Sequence, residues 1–411
     1  MQSLSRRQLL GVLGAGAAGL AGGGYWFVRG GSNTPDCPEY LEPDREFWES
    51  TFDAWSEPVV DDGTVFVGGG AGITRMSSGS RMFRLLALEP SGEPKWVARR
   101  ELAGGIGLPR PTDDRVFAST GANSLLAFDR ETGGLEWEFD AGRNVEGQMG
   151  VATLVHDDTV MASVNDPDHD ELEGSNAVVG VSASEGELQW ETELDARVSN
   201  GLALLEGTAV VATREGTLTG VDPETGDRRW ETDLEEALDW GSRPVSFAGD
   251  AWLPREDGTL VAFDPESGSI PDRISVERAD DDRDDETDGF VQAVQGTDDA
   301  LYVGDLNGTV TAYDVERSER WRYEGSARIA ALEAETDAVG VLDQRGVYTE
   351  LEPETGDASR AFLLVDVRDD DRCGHVPSDR RFAGFATIRH TLVVTGRVMF
   401  GARVYRLPRP R

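Results

Sequence analysis

The side chains able to do chemistry are few and widely separated. Four histidines, His156, His169, His375 and His390, show none of the short spacings by which two imidazoles share a metal ion. His390 falls in a strand-like run, which is a structural position. The two cysteines, Cys37 and Cys373, form no C-x-x-C pair and no haem-attachment motif. Two acidic inserts invite a calcium reading: "NDPDHDELEG", Asn165 to Gly174, and "ADDDRDDETDG", Ala279 to Gly289. Carboxylates at alternate positions suit Ca²⁺, but neither insert has the EF-hand order with Gly at six and Glu at twelve. In so acidic a chain they read as solvated loops. No nucleophile triad or phosphate loop stands out. The sequence thus assigns no catalytic, cofactor-binding or metal-binding residue.

The bulk composition narrows the field. The chain has 411 residues, with 77 acidic against 39 basic and a net charge of -38. Lys95 is its single lysine, so nearly all the positive charge is arginine. Such a balance argues against a nucleic-acid partner, because phosphate contacts need a basic face. Acidity of this order also accompanies disorder, but 10 Trp, 15 Phe and many short Val/Leu runs supply a core. The surface resembles that of proteins from extremely halophilic archaea, where molar salt shortens the Debye length to about 3 Å and screens self-repulsion.

Near the N-terminus, Arg6 and Arg7 precede an uncharged, Gly- and Ala-rich stretch from Gln8 to Val28. This resembles a twin-arginine export signal, with retention as a membrane anchor left open. The expected organisation is a signal or anchor over 1–30, a linker over 31–44 and a folded body over 45–411. That body is expected outside the cytoplasm, at the cell surface or free of the cell. There, two cysteines are read as a disulfide more readily than as a metal site.

The folded body repeats itself. "FDRETGGLEW" from Phe128, "VDPETGDRRW" from Val221 and "FDPESGSIPD" from Phe263 are copies of one phrase. Related copies start at Leu88, Val181, Tyr313 and Leu351. Short β-branched and aromatic runs precede each copy, separated by Gly and Asp turns, with no helical periodicity. Four short strands per period of about forty residues describe a propeller blade. The phrase itself is a turn between the third and fourth strands. Asp accepts local backbone N–H groups, Pro fixes φ, and Gly takes φ > 0. The tryptophan that follows lies on the outer strand, where a flat side chain can cover the junction with the next blade. Trp48, Trp96, Trp137, Trp190, Trp230 and Trp321 occupy this docking position.

The phrase resembles the tryptophan-docking repeat of the PQQ-like quinoprotein propellers, and "AFDRETGGLEW", Ala127 to Trp137, matches it best. The resemblance covers most of the chain beyond residue 45. Among catalytic members it implies a Ca²⁺ held by Glu and Asn near the axis, a catalytic Asp, and adjacent cysteines over the quinone. No Cys-Cys pair occurs here, and the chain is shorter than those enzymes. The copies at Asp272 and Arg360 lack the tryptophan, and the Tyr313 copy is one residue short, so packing there should differ.

Seven copies of the phrase are explicit, and three C-terminal strands lack a fourth. "REFWESTF", Arg45 to Phe52, reads like the outer strands "LQWETEL" and "RRWETDL". The expected fold is therefore an all-β, eight-bladed propeller whose last blade borrows an N-terminal strand, with seven blades as the alternative. Closure of this kind removes two free sheet edges. Cys37 precedes the borrowed strand and Cys373 precedes the borrowing blade, so a Cys37–Cys373 disulfide would latch the ring. The expected function is that of a monomeric, non-catalytic scaffold without a cofactor, holding a protein partner on a loop face. It is similar to the BamB-like group in envelope protein assembly. The alternative is a PQQ-dependent dehydrogenase.

Overall fold

The computed structural model describes residues 44–46, 54–70, 81–91, 93–102, 107–120, 124–141, 153–165, 176–213, 215–234, 238, 243–255, 257–276, 291–325, 327–364, 381–388, 391–397 and 402–406. Regular structure among them is entirely strand. The strands form eight antiparallel sheets. One blade serves as the pattern. Its innermost strand Val198–Leu205 is followed by Thr208–Thr213, Thr217–Val221 and the outer strand Arg228–Asp233, each paired with the one before. The second and third strands are buried almost throughout, and the outer strand alternates. That is the pattern expected of a sheet whose two faces meet neighbouring sheets and whose outer edge meets water.

Seven sheets have four strands and the first blade has five, because its innermost strand is broken. Ala54–Trp55 and Val59–Asp61 both pair with Thr64–Gly70, on either side of the interruption at Ser56, Glu57 and Pro58. Proline supplies no ladder donor, and here it falls on the edge that faces the axis.

The eighth blade consists of Arg381–Ile388, Thr391–Arg397 and Ala402–Arg406, completed by Asp44–Glu46 from the far end of the chain. The register pairs Asp44 with Arg406, Arg45 with Tyr405 and Glu46 with Val404. The N-terminal strand is thus borrowed as the sequence leads one to expect, over 44–46. Residues 47–53 lie outside the described residues.

The core is not one body but a ring of junctions. Eight clusters of buried hydrophobics each span two consecutive blades. The cluster of Val65, Val67, Leu86 and Leu88 with Val393 joins the first blade to the eighth. Thr395 adds a hydrogen bond from its Oγ1 to the Ser56 carbonyl at 2.8 Å across the same seam.

Candidate functional site

The repeated phrase is used in holding blades together. At Asp222 the carboxylate Oδ1 accepts the N–H groups of Glu224 and Thr225 at 3.0 and 3.1 Å. Arg229 ion-pairs with the other oxygen at 2.7 Å. Arg229 first, then the Thr225 and Glu224 N–H groups, hold this carboxyl down to about 2. The turn closes with Gly226 donating to the Asp222 carbonyl at 2.9 Å, its φ at +77°. That angle favours glycine, and the next contact requires it. A Cβ on Gly226 would lie 2.6 Å from the ring of Trp190, which belongs to the preceding blade.

The same overlap recurs around the ring. Trp96, Trp137, Trp230 and Trp321 cover Gly133, Gly186, Gly268 and Gly356 in turn. Each indole also donates to the carbonyl of the turn's second residue. Trp96 reaches Arg130 at 2.7 Å, Trp137 reaches Ala183 at 3.0 Å, Trp230 reaches Pro265 at 2.9 Å and Trp321 reaches Pro353 at 2.8 Å. Trp190 departs from this: its Nε1 is buried without a partner. The residue opposite each tryptophan on the third strand is small: Ala87, Ala127, Gly180, Gly220 and Ala312. A Cβ on Gly220 would sit 2.3 Å from the Trp230 ring.

The two copies without tryptophan are packed by arginine. At Asp272 no ring extends over the next turn, and that turn has Arg317 at φ +66°. The Arg317 guanidinium lies 5.6 Å from the Trp252 ring centre and ion-pairs with Asp250 at 2.8 Å and Asp272 at 2.7 Å. At the other copy, Arg360 faces Glu350 across the strand pair and binds it at 2.5 Å. The eighth blade cannot offer a turn to dock upon, because its third and fourth strands come from opposite ends of the chain.

Convergent charge lies instead at the axis. A cavity of about 580 Å³ is lined by innermost strands from around the ring, among them Leu154, Leu202, Val245, Gln292, Leu332 and Phe385. Glu57 of the first blade, Arg110 of the second and Arg243 of the fifth share it. Arg243 and Glu57 form an ion pair of 2.9 Å between blades that stand opposite in an eight-membered ring. Arg110 donates through Nε to the Thr153 carbonyl at 2.7 Å. Burial first, and then the repulsion of Arg243, push the Arg110 guanidinium down to about 10, against the pull of Glu57.

These three residues were not singled out by sequence reasoning. The usable signal was a charged residue before proline in the innermost-strand segment of a blade: Glu57-Pro58 at a break in the strand, Arg110-Pro111 and Arg243-Pro244 at the entry. His156 meets Asp157 and, from the next blade, Glu224, with ligand atoms within 4.8 Å of one another. Spacing within one strand could not show that meeting. Trp96, Trp137, Trp190, Trp230 and Trp321 all stand at docking positions. Arg6, Arg7, Cys37, Trp48, His169, Cys373, His375, His390 and the insert 279–289 lie outside the described residues, as does the acidic insert beyond Asn165.

The calcium-bound quinone of catalytic propellers can be tested against the axis. That ion needs several hard oxygen ligands. Among the described residues lining the cavity the one carboxylate is Glu57, already held by Arg243. The described donor set does not fit the calcium half of that cofactor.

Fold and junction chemistry define a PQQ-like β-propeller. The family whose description reads "Outer membrane protein assembly factor BamB" matches residues 39–172 and 171–361, and the chain belongs to this family. BamB from Moraxella catarrhalis is 18% identical, covering 71% of this chain and 83% of its own, with a TM-score of 0.52. Sqt1 of Saccharomyces cerevisiae aligns at 12% identity over 90% of this chain and 100% of its own, with a TM-score of 0.66. Sqt1 of Chaetomium thermophilum, solved bound to the N-terminus of ribosomal protein L10, is 12% identical over 86% and 96%, with a TM-score of 0.60. No curated protein matches the sequence.

Proposed function

We propose that this protein is an exported, monomeric, non-catalytic propeller that holds a protein partner on one of its loop faces. The observation that supports this most directly is the use made of the repeat. Its aspartates, glycines and tryptophans are engaged in turns and blade junctions, so the axis and the loops are left for recognition. The family description, that of an assembly factor, points the same way. The Arg6-Arg7 segment supports export and offers a membrane tether.

The test is cross-linking in the producing cells at molar salt. Because Lys95 is the single lysine, a reagent that couples carboxylates is the appropriate one. One partner joined through peptides of one loop face is the expected result. Two results would overturn it. One is cross-links scattered over both faces with no recurrent partner. The other is purified protein that retains PQQ with Ca²⁺ and reduces a dye on adding an alcohol or aldose.

A further inference from the structure

The axial cavity contains a local imbalance of charge. In a chain with 77 acidic residues, two arginines face one carboxylate there. Glu57 is bound to Arg243 at 2.9 Å. Arg110 makes one hydrogen bond, through Nε to the Thr153 carbonyl. Among the described residues no carboxylate lies within ion-pair distance of it. A half-buried guanidinium with its Nη edge unmatched is costly, and the repulsion between Arg110 and Arg243 adds to the cost. An arrangement so unfavourable without an anion becomes favourable with one.

We propose that this cavity binds a small organic carboxylate, held between the guanidinium groups of Arg110 and Arg243, with Glu57 as the resident competitor. Three features select the ligand. The Glu57–Arg243 pair shows that a carboxylate fits the arginine edge of the cavity, and planar guanidinium matches carboxylate in a two-point fork. The walls beyond combine the aliphatic residues Leu154, Leu202, Leu204 and Leu332 with the polar residues Ser246, Gln292 and Gln295, so the body attached to the carboxylate has an apolar part and accommodates a second polar group. The volume of about 580 Å³ lies within the range of small-molecule sites. Arg110 and Arg243 stand at the entries of innermost strands, away from the docking turns, and Glu57 stands at the break in the first blade's innermost strand. The ligand therefore enters from the opposite end of the ring.

Isothermal titration of the purified full chain in molar potassium chloride tests this, with acetate, hexanoate, glutarate and inorganic phosphate as probes. Saturable binding of hexanoate or glutarate, tighter than acetate, is expected. Removing one of two charged hydrogen-bonding partners should weaken binding by at least about tenfold in R110Q and in R243Q. E57Q, which frees Arg243, should tighten it. In ligand-free protein R110Q should melt no lower than the parent, because relief of burial and of the repulsion from Arg243 offsets the lost hydrogen bond to the Thr153 carbonyl; a purely structural arginine would behave otherwise. If R110Q does not fold, R243Q and E57Q still give opposite expected shifts. Absence of carboxylate binding at up to tens of millimolar overturns the proposal. So does phosphate binding without carboxylate binding, or equal affinities in parent and variants. The assay uses pure protein and small molecules, so its failure is distinguishable from failure of the partner-binding reading.

Discussion

If the repeated turn exists to receive the preceding blade's tryptophan, then Gly133 and Trp96 must be energetically coupled. Trp96 is 8% exposed and donates to the Arg130 carbonyl at 2.7 Å. Trp96→Ala removes a large buried side chain and leaves that carbonyl unpaired, which costs about 4 kcal/mol. Gly133→Ala acts in two ways. At φ +69° an alanine costs about 1 kcal/mol. Its Cβ would also stand 2.5 Å from the Trp96 ring, and displacing that ring costs about 2 kcal/mol more. Gly63 supplies the control, since its φ is +72° and a Cβ there meets nothing within 4 Å. Gly63→Ala should therefore cost about 1 kcal/mol. In a Trp96→Ala background the ring is gone, and Gly133→Ala should fall to the same value. The cycle thus carries a coupling of about 2 kcal/mol. Urea unfolding in molar potassium chloride, followed by circular dichroism, measures all five proteins. A Gly133→Ala cost equal to that of Gly63→Ala, or unchanged by Trp96→Ala, would refute the docking account.

Three further outcomes follow from particular residues. Glu333, at the seam between the seventh and eighth blades, is raised from 4.5 to about 7 by burial and then by Glu335, against the hydrogen bonds of Thr387. The folded state binds this proton more tightly than the unfolded chain does. Its stabilising contribution is therefore full below pH 4.5 and is lost as pH rises through 7, a swing of about 3 kcal/mol. Glu333→Gln should remove that slope and raise the melting temperature at pH 8; a parallel pair of pH–stability curves would contradict it. Deleting residues 1–53 removes the strand at Asp44–Glu46 and exposes the edge of Ala402–Arg406, so the truncated ring should melt lower and self-associate. A truncation that melts like the parent and stays monomeric counts against closure by that strand. Finally, if Cys37 and Cys373 form the expected latch, denatured and unreduced protein should contain no titratable thiol, and two per chain would exclude the bond.

What the sequence makes legible is the part of the fold that repeats. The turn chemistry of Asp222 and Gly226 and the placement of Trp230 could be read because one physical requirement, docking a ring over a glycine, recurs at fixed offsets. The borrowed strand was legible for the same reason, since "REFWESTF" resembles the other outer strands. The axis left only a faint signal, a charged residue before proline in three blades. Glu57, Arg110 and Arg243 each occur once, in three different blades, and the contacts they make are between blades rather than within a repeat. Nothing in blade packing fixes a side chain that faces the channel, so its identity leaves no period to detect.

The tryptophan-less copies show how far this logic extends. Their irregularities are linked through the junction, not scattered. Where Asp272 replaces the ring, the following turn no longer has to be glycine, and Arg317 stands there at φ +66°. The side chain that would have been excluded by an indole now lies near Trp252 and pairs with Asp250 and Asp272. The missing aromatic in this blade and the missing glycine in the next therefore meet at one junction. A short or altered copy of the phrase then reports on the blade before it. The phrase is half of a joint whose other half lies about forty residues earlier.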